Sequence, residues 1–364
     1  MNNIAELKKS VKDWGIVGAG GAGFPTHKKL DSRAHTIILN CAECEPLLNL
    51  HNQLLTHFTD EILTALCKVA EILEAKPIVA IKESYTEAIN AVSKHLKVAV
   101  LKDLYPAGDE ILLINEVSGV VVPPGTLPIE SGFIVLNVET VYNIAMAKPV
   151  THKWITIAGE VERPVTVNVP IGITIKEAVK YAGTVTTEDP VYIAGGPMMG
   201  CVADVSYQIK KNTNAIIVLP KGHKLTQKGN TSVNLNRASS ACCQCGSCTE
   251  MCPRFLLGYP IQPHRIMRAL VARDASSDAF KGVTYCSLCG LCEMLACPQS
   301  LSPRSLIKLF KPALHTSVGA TALGRPQIAD MPHKRISTKR LKMRLGLTKY
   351  DLNTSFEMGE MVKT

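Results

Sequence analysis

Apolar positions follow two different periods along the first part of the chain. In TDEILTALCKVAEILE, residues 59–74, they recur at helical spacing, and Thr59 stands where an N-cap would. Residues 37–39, 78–81, 98–101 and 133–138 are short apolar runs, the pattern of buried strands. Strands alternating with helices predict an α/β layer with a mostly parallel sheet over residues 1–148. The texture then turns to WITIAGEV, VTVNVPIG, PVYIAGG and AIIVLP, with one helical stretch at 175–182. That pattern predicts a small β-rich domain of the β-grasp type over 149–220. A cysteine-dense region follows at 236–312, with a helical pattern at 266–273 between its two Cys runs. Residues 313–364 are basic and weakly periodic and are expected to form a tail.

Composition narrows the class. With 364 residues, 46% of them hydrophobic, the chain is long enough for two or three domains with cores of their own. No uncharged apolar run reaches the roughly 18 residues of a membrane-spanning helix, so no transmembrane segment is expected. The opening MNNIAELKKSVKDWG lacks the apolar stretch of a secretory signal. Thirteen cysteines without an export signal point to metal-bound thiolates in a reducing cytoplasm rather than to disulfides. The net charge of +9 is concentrated late, at His333, Lys334 and Arg335 and in KRLKMR from Lys339 to Arg344. No zinc-finger histidine pair or aromatic single-strand motif accompanies it, so a solvated tail or an acidic protein partner is expected and no nucleic acid.

Cys242, Cys245, Cys248 and Cys252 follow C-x2-C-x2-C-x3-C, and Pro253 comes next. Cys286, Cys289, Cys292 and Cys297 repeat the run with one more residue before the last Cys, again followed by Pro298. Zinc sites use paired C-x2-C units without a third tight Cys. Three close thiolates and a distant fourth suit a cubane, and in two-cluster ferredoxins the fourth Cys ligates the other cluster. The expected sets are therefore Cys242, Cys245, Cys248 and Cys297 on one [4Fe–4S] cluster, and Cys286, Cys289, Cys292 and Cys252 on the other. Cys243 is surplus and is expected to face away from iron, while Cys67 and Cys201 read as small core residues.

Two earlier segments carry candidate binding chemistry. GIVGAGGAGFPTHKKL, residues 15–30, is dense in glycine, which lets backbone N–H groups approach a phosphate, and Lys28 or Lys29 could neutralise it. No clear strand precedes it, so a flexible turn and a nucleotide loop both remain open. NCAECEPLL, residues 40–48, puts Glu43 and Glu45 on a turn after a predicted strand, where α/β sheets bind ligands; a solvated acidic turn has the same pattern.

Taken in order, GAGGAGFPTHKKL, NCAECEPLL, YPAGDE and NVETV resemble the flavin module of the RnfC electron-transport family and, more distantly, the NADH-oxidising flavin subunit of complex I. The β-rich segment is similar to the SLBB domain of those proteins. The Cys runs and KRISTKRLKMRLGLTKYDL look closest to the PduS-type cobalamin reductases of propanediol-utilisation microcompartments. The resemblance implies three units: a Rossmann-like flavin or nucleotide domain, an SLBB β-grasp domain and a mainly α-helical two-[4Fe–4S] ferredoxin-like domain. It implies FMN on Gly20, Gly21, Gly23 and Lys29, with Asn40, Glu43 and Glu45 near flavin and nicotinamide. Asn137 and Thr140 would lie towards the flavin phosphate. The complex I motif has Asp before its first Glu and Gly after its Pro; here those positions are Ala42 and Leu47.

The function so implied is an NADH oxidoreductase. FMN would convert a hydride's electron pair into single electrons, and two clusters would pass them to cob(III)/cob(II)alamin. An adenosyltransferase and a microcompartment shell protein are the implied partners, and a cytoplasmic location, inside such a compartment, goes with them. An RnfC-like carrier serving another acceptor, such as a ferredoxin or a radical-enzyme activator, shares the same cofactors. A non-catalytic docking adaptor that keeps its clusters for structure is the alternative of another class.

Overall fold

The computed structural model describes residues 3–21, 23–226, 231–274, 276–314, 335–350 and 354–359. Its first module is a parallel sheet of four strands: β1 (Thr36–Cys41), β2 (Lys76–Lys82), β3 (Val98–Leu101) and β5 (Phe133–Asn137), in the order β3-β2-β1-β5. The short β4 (Leu104–Tyr105) lies outside it. Successive side chains on a strand point to opposite faces, and both faces here are apolar. Ile37, Leu39, Val79, Ile81, Ile134 and Leu136 enter one core with the helices Leu50–His57, Thr59–Ile72 and Val138–Ala145. Ile38, Ala80, Phe133 and Val135 enter a second core, built from the helix Glu110–Ser118 and from residues more than a hundred positions later: Ile261, Ile266, Met267, Leu306 and Ile307. The cysteine region is thus the second cover that a parallel sheet requires.

Two local expectations need correction. Thr59 does not cap its helix; Phe58 holds that position, because the Leu50–His57 helix runs directly into the next one and the Thr59 hydroxyl donates back to the Leu55 carbonyl at 2.7 Å. Cys67 and Cys201 are exposed rather than core, whereas Cys41 and Cys44 pack inside, in cores on either side of the acidic turn.

The second sheet has six strands: β6 (His152–Gly159), β7 (Val165–Pro170), β8 (Pro190–Ala194), β9 (Cys201–Ala203), β10 (Ala215–Pro220) and β12 (Ser355–Glu357), ordered β12-β7-β6-β10-β8-β9. The Ile175–Ala178 helix, opened by a Thr174/Glu177 capping box, packs Ile175 and Ala178 against Ile155, Val167 and Ile216.

The described part of the expected solvated tail folds back instead. His333 and Lys334 lie outside the described residues, but β11 (Ile336–Ser337) pairs antiparallel with β4 and leads into the helix Thr338–Arg344. Leu341, Leu345 and Leu347 are fully buried there, beside Tyr105, Met198 and Leu219. β12 then extends the second sheet, and its Phe356 stacks on Trp154 with ring centroids 4.5 Å apart. The charges of KRLKMR had masked an apolar stripe at 341 and 345, one helical turn apart. Leu341→Ala is expected to lower stability by about 2–5 kcal/mol, read as a shift of the urea midpoint. The exposed Met343→Ala should change it by less than about 0.5 kcal/mol.

Candidate functional site

The glycine segment is a loop on the carboxyl end of β5, not the strand–turn–helix of a dinucleotide fold. It follows the helix Ile4–Asp13 and is closed by a bridge between Val17 and Pro25. Asn137 ends β5 and caps the Val138–Ala145 helix, accepting from the Glu139 amide at 3.0 Å. Its Nδ2 lies 3.1 Å from where a Cβ on Gly20 would stand, and Thr140 Oγ1 accepts from the Ala19 amide at 3.1 Å. Gly20, Asn137 and Thr140 therefore meet, as does His51, whose Nε2 is 2.8 Å from Asn137 Nδ2. Gly21 has φ 110° and opens onto free space, and Asn212 of the second module donates to its carbonyl at 3.0 Å. A backbone cradle bare of side chains, with the buried His51 Nδ1 left without a partner, fits a ligand that brings its own polar groups. Lys29 is placed differently from a free phosphate ligand: its Nζ donates to Glu110 at 2.9 Å and to the Val135 carbonyl at 3.2 Å. Lys28 is exposed.

The acidic turn leaves β1 beside this cradle. Asn40 donates to the Gly108 carbonyl at 3.0 Å and accepts from the Ala42 amide. Glu43 is buried and accepts from the His51 amide at 3.1 Å, while its own carbonyl takes Lys82 at 3.0 Å and Tyr85 at 3.3 Å. Glu45 points elsewhere: its carboxylate accepts the Met198 and Met199 amides at 2.7 and 2.8 Å, from the loop between β8 and β9. Any side chain at Gly196 would collide with it, since a Cβ there would sit 2.4 Å from Glu45 Cδ. Leu47 has φ 69°, the left-handed region that glycine enters freely. Leucine holds that strained conformation here with its side chain fully buried among Tyr105, Met198 and Leu291.

The two Cys runs repeat one backbone. Gln244 (φ 54°) and Leu288 (φ 60°) occupy the same place before the second Cys, and Gly246 (φ 79°) and Gly290 (φ 84°) the same place after it. Cys252 and Cys297 end their runs with ψ 117° and 114°, each followed by its proline. The added residue of the second run is absorbed in a π-helical turn, Cys292–Ala296, where the first run has the α-turn Ser247–Glu250. Cys243 corresponds in position to Ser287. Cys243 is exposed on the rim of the first pocket rather than turned away from it.

In space the thiols form two groups. Cys242, Cys245, Cys248 and Cys297 line one open pocket with Gln244, His264 and Met267. Burial and the neighbouring Cys297, Cys245 and Cys242 push the Cys248 thiol up to about 11. The second group is deeper. Burial raises Cys252 strongly, with Cys289 and Cys286 adding to it, and lifts Cys289 to about 12. Cys292 rises for the same reasons, with Cys286, Cys289 and Cys252 beside it. Metal-free, these buried thiols are protonated at neutral pH, so loading iron releases protons. Among the described residues, no three His, Cys, Asp or Glu side chains close around a point as they would on a single ion.

With this geometry in view, likeness to known proteins becomes specific. Residues 11–146 match the Nuo51 FMN-binding domain, 154–202 the SLBB domain and 241–302 the 4Fe-4S dicluster domain. The cobalamin reductase PduS of Citrobacter freundii is 37% identical over 94% of this chain and 79% of its own. The chain belongs to the PduS cobalamin reductase family. A component of the Na(+)-translocating ferredoxin:NAD(+) oxidoreductase complex of Acetobacterium woodii is 33% identical over 68% of this chain and 57% of its own. An NAD+-reducing [NiFe]-hydrogenase structure, in the H2-reduced state, shares the fold at 19% identity with a TM-score of 0.55, covering 86% of this chain and 62% of that one. The mixed α/β flavin module, the SLBB sheet and the ferredoxin-like region are those the motifs led one to expect, and the chain is an oxidoreductase.

Sequence reasoning passed over Glu139, inside NVETV. Its buried carboxylate pairs with the equally buried Lys153 and accepts the Trp154 amide at 3.1 Å, fastening β6 of the SLBB domain to the helix that grips the glycine loop. A carboxylate in the first turn of a helix, followed by a strand with an inward lysine, was the available signal. Glu139→Gln leaves Lys153 buried without its counter-ion. The expected loss is about 3–5 kcal/mol, measured by urea unfolding.

Proposed function

We propose that the protein is an FMN- and iron–sulfur-dependent NADH oxidoreductase that delivers single electrons to cob(III)/cob(II)alamin. The observation that carries this reading is the shared core: the sheet with the glycine cradle at its edge is covered on its back by the cysteine region. Bound FMN supplies the conversion between a hydride's electron pair and single electrons, and the clusters supply one-electron carriage. The chain's own part is to hold and separate these groups. Gly20, Gly21 and Gly23 offer bare backbone, and Asn137 and Thr140 fix that backbone from below. Asn40 and Glu43 stiffen the turn on the nicotinamide side, whereas Glu45 and Lys29 serve chiefly to hold neighbouring segments in place. Cys242, Cys245, Cys248 and Cys297 would hold an outer cluster, and Cys252, Cys286, Cys289 and Cys292 an inner one.

The functional units in this reading are residues 1–148, 149–220 and 236–312, with a C-terminal segment 313–364 whose described parts, 335–350 and 354–359, strap the first two. Reduced corrinoid is the substrate form an adenosyltransferase consumes, which makes such an enzyme and a microcompartment shell the proposed partners. Among the described residues no helix is long and apolar enough to cross a membrane.

Anaerobic NADH oxidation with cob(II)alamin as acceptor should yield cob(I)alamin, seen by its visible spectrum. Reduction of a ferredoxin with cobalamin left untouched would transfer the reading to an RnfC-like carrier. Protein containing zinc and no flavin would sink it. Separately, Cys245→Ala should abolish one of two EPR signals while FMN content is kept. Cys243→Ser should preserve both signals, because serine already occupies the matching position 287.

A further inference from the structure

The two thiol groups differ in the charge around them. Among the described residues, no lysine or arginine lines the outer pocket. The inner group has three close by: Arg254 follows Cys252 by two residues, Arg304 Cδ lies 3.6 Å from where a Cβ on Gly290, beside Cys289, would stand, and Lys311 reaches the backbone of Cys286. Arg254 pairs with Asp109 at 2.9 Å, and its guanidinium lies 5.3 Å from the Tyr259 ring centre. Arg304 is 5% exposed; its Nη2 donates to the Met199 carbonyl at 2.7 Å, and its Nε has no partner. Lys311 Nζ donates to the carbonyl of Cys286. Among the described residues, neither the buried Arg304 nor the half-buried Lys311 has a carboxylate within ion-pair distance, although Asp109 acts on Lys311 from farther off. A buried cation without a counter-ion is strongly unfavourable. Four thiolates around an iron–sulfur core would carry a net negative charge that grows by one on reduction.

We propose that Arg304 and Lys311, with Arg254 beside them, are the counter-charge of the inner cluster and raise its reduction potential. Fixed cations stabilise the more negative, reduced state over the oxidised one, and net charge is one of the levers on cluster potential. Among the described residues the lining of the outer pocket has no such cation, so a cluster there would gain no matching stabilisation. In this reading an inner cluster held there would accept one electron, supplied by NADH through a bound flavin, with no bond formed or broken. The inference rests on the two ligand sets above and assigns the three cations a tuning role in that same electron path.

The test is an EPR-monitored redox titration of the full, cluster-loaded chain. Arg304→Gln and Lys311→Met should each shift one midpoint to more negative potential and leave the other in place. In a Cys245→Ala background, which lacks the outer signal, the surviving signal should be the one that shifts. Arg304→Lys keeps the charge and should restore the parent midpoint. Loss of one cluster's iron in Arg304→Gln but not in Arg304→Lys would support the counter-charge equally. Unmoved midpoints with both clusters present, or Arg304→Lys behaving like Arg304→Gln, would overturn it. Fewer than two cluster signals in the unsubstituted protein would overturn the ligand sets themselves.

Discussion

A parallel sheet that is apolar on both faces has to be covered twice, and this requirement organises the molecule. Ile37 and Leu39 face the module's own helices, while Ile38 faces the cysteine region. Without Ile261, Ile266, Met267, Leu306 and Ile307 over them, Ile38, Phe133 and Val135 would lose much of their cover on the second face. Burial at roughly 25 cal/mol per Å² of apolar surface makes that loss large. The same contact that completes the flavin module therefore brings the inner cysteines against it.

A second junction locks the three modules in register. The Met198–Met199 backbone of the SLBB domain is gripped from one side by Glu45 and from the other by Arg304, and the Met198 carbonyl lies against Gly290. Tyr105, fully buried, donates to the Cys289 carbonyl at 2.6 Å and so ties the YPAGDE segment to the second Cys run. The C-terminal strap packs Leu341 and Leu345 over the same cluster of side chains. Glu45 also serves assembly, because its carboxylate takes two converging amide donors from the Met198–Met199 segment.

The departures from the related motifs have local physical reasons. Where the complex I motif has glycine after proline, Leu47 adopts the left-handed backbone glycine favours, and burial of its side chain offsets the strain. The extra residue before Cys297 is taken up as a π-turn, so the following Cys-Pro step keeps the geometry of its counterpart at Cys252. Such a bulge lengthens the chain without moving the ends that matter.

The sequence by itself determined the strands of the parallel sheet, the SLBB-like hairpin and helix, and the two Cys runs, because each is written in a short period or a fixed spacing. It also carried the family, through four motifs in order. Only the tertiary structure decided that the basic tail is a strap, since charge hides an apolar pair at 341 and 345 until something lies opposite it. The same holds for Glu45 accepting the Met198 amide, for Glu139 pairing Lys153, and for Arg304 beside the inner thiols with no carboxylate partner among the described residues. Those roles depend on which distant segment arrives within hydrogen-bond or Coulombic reach, and no local pattern records that.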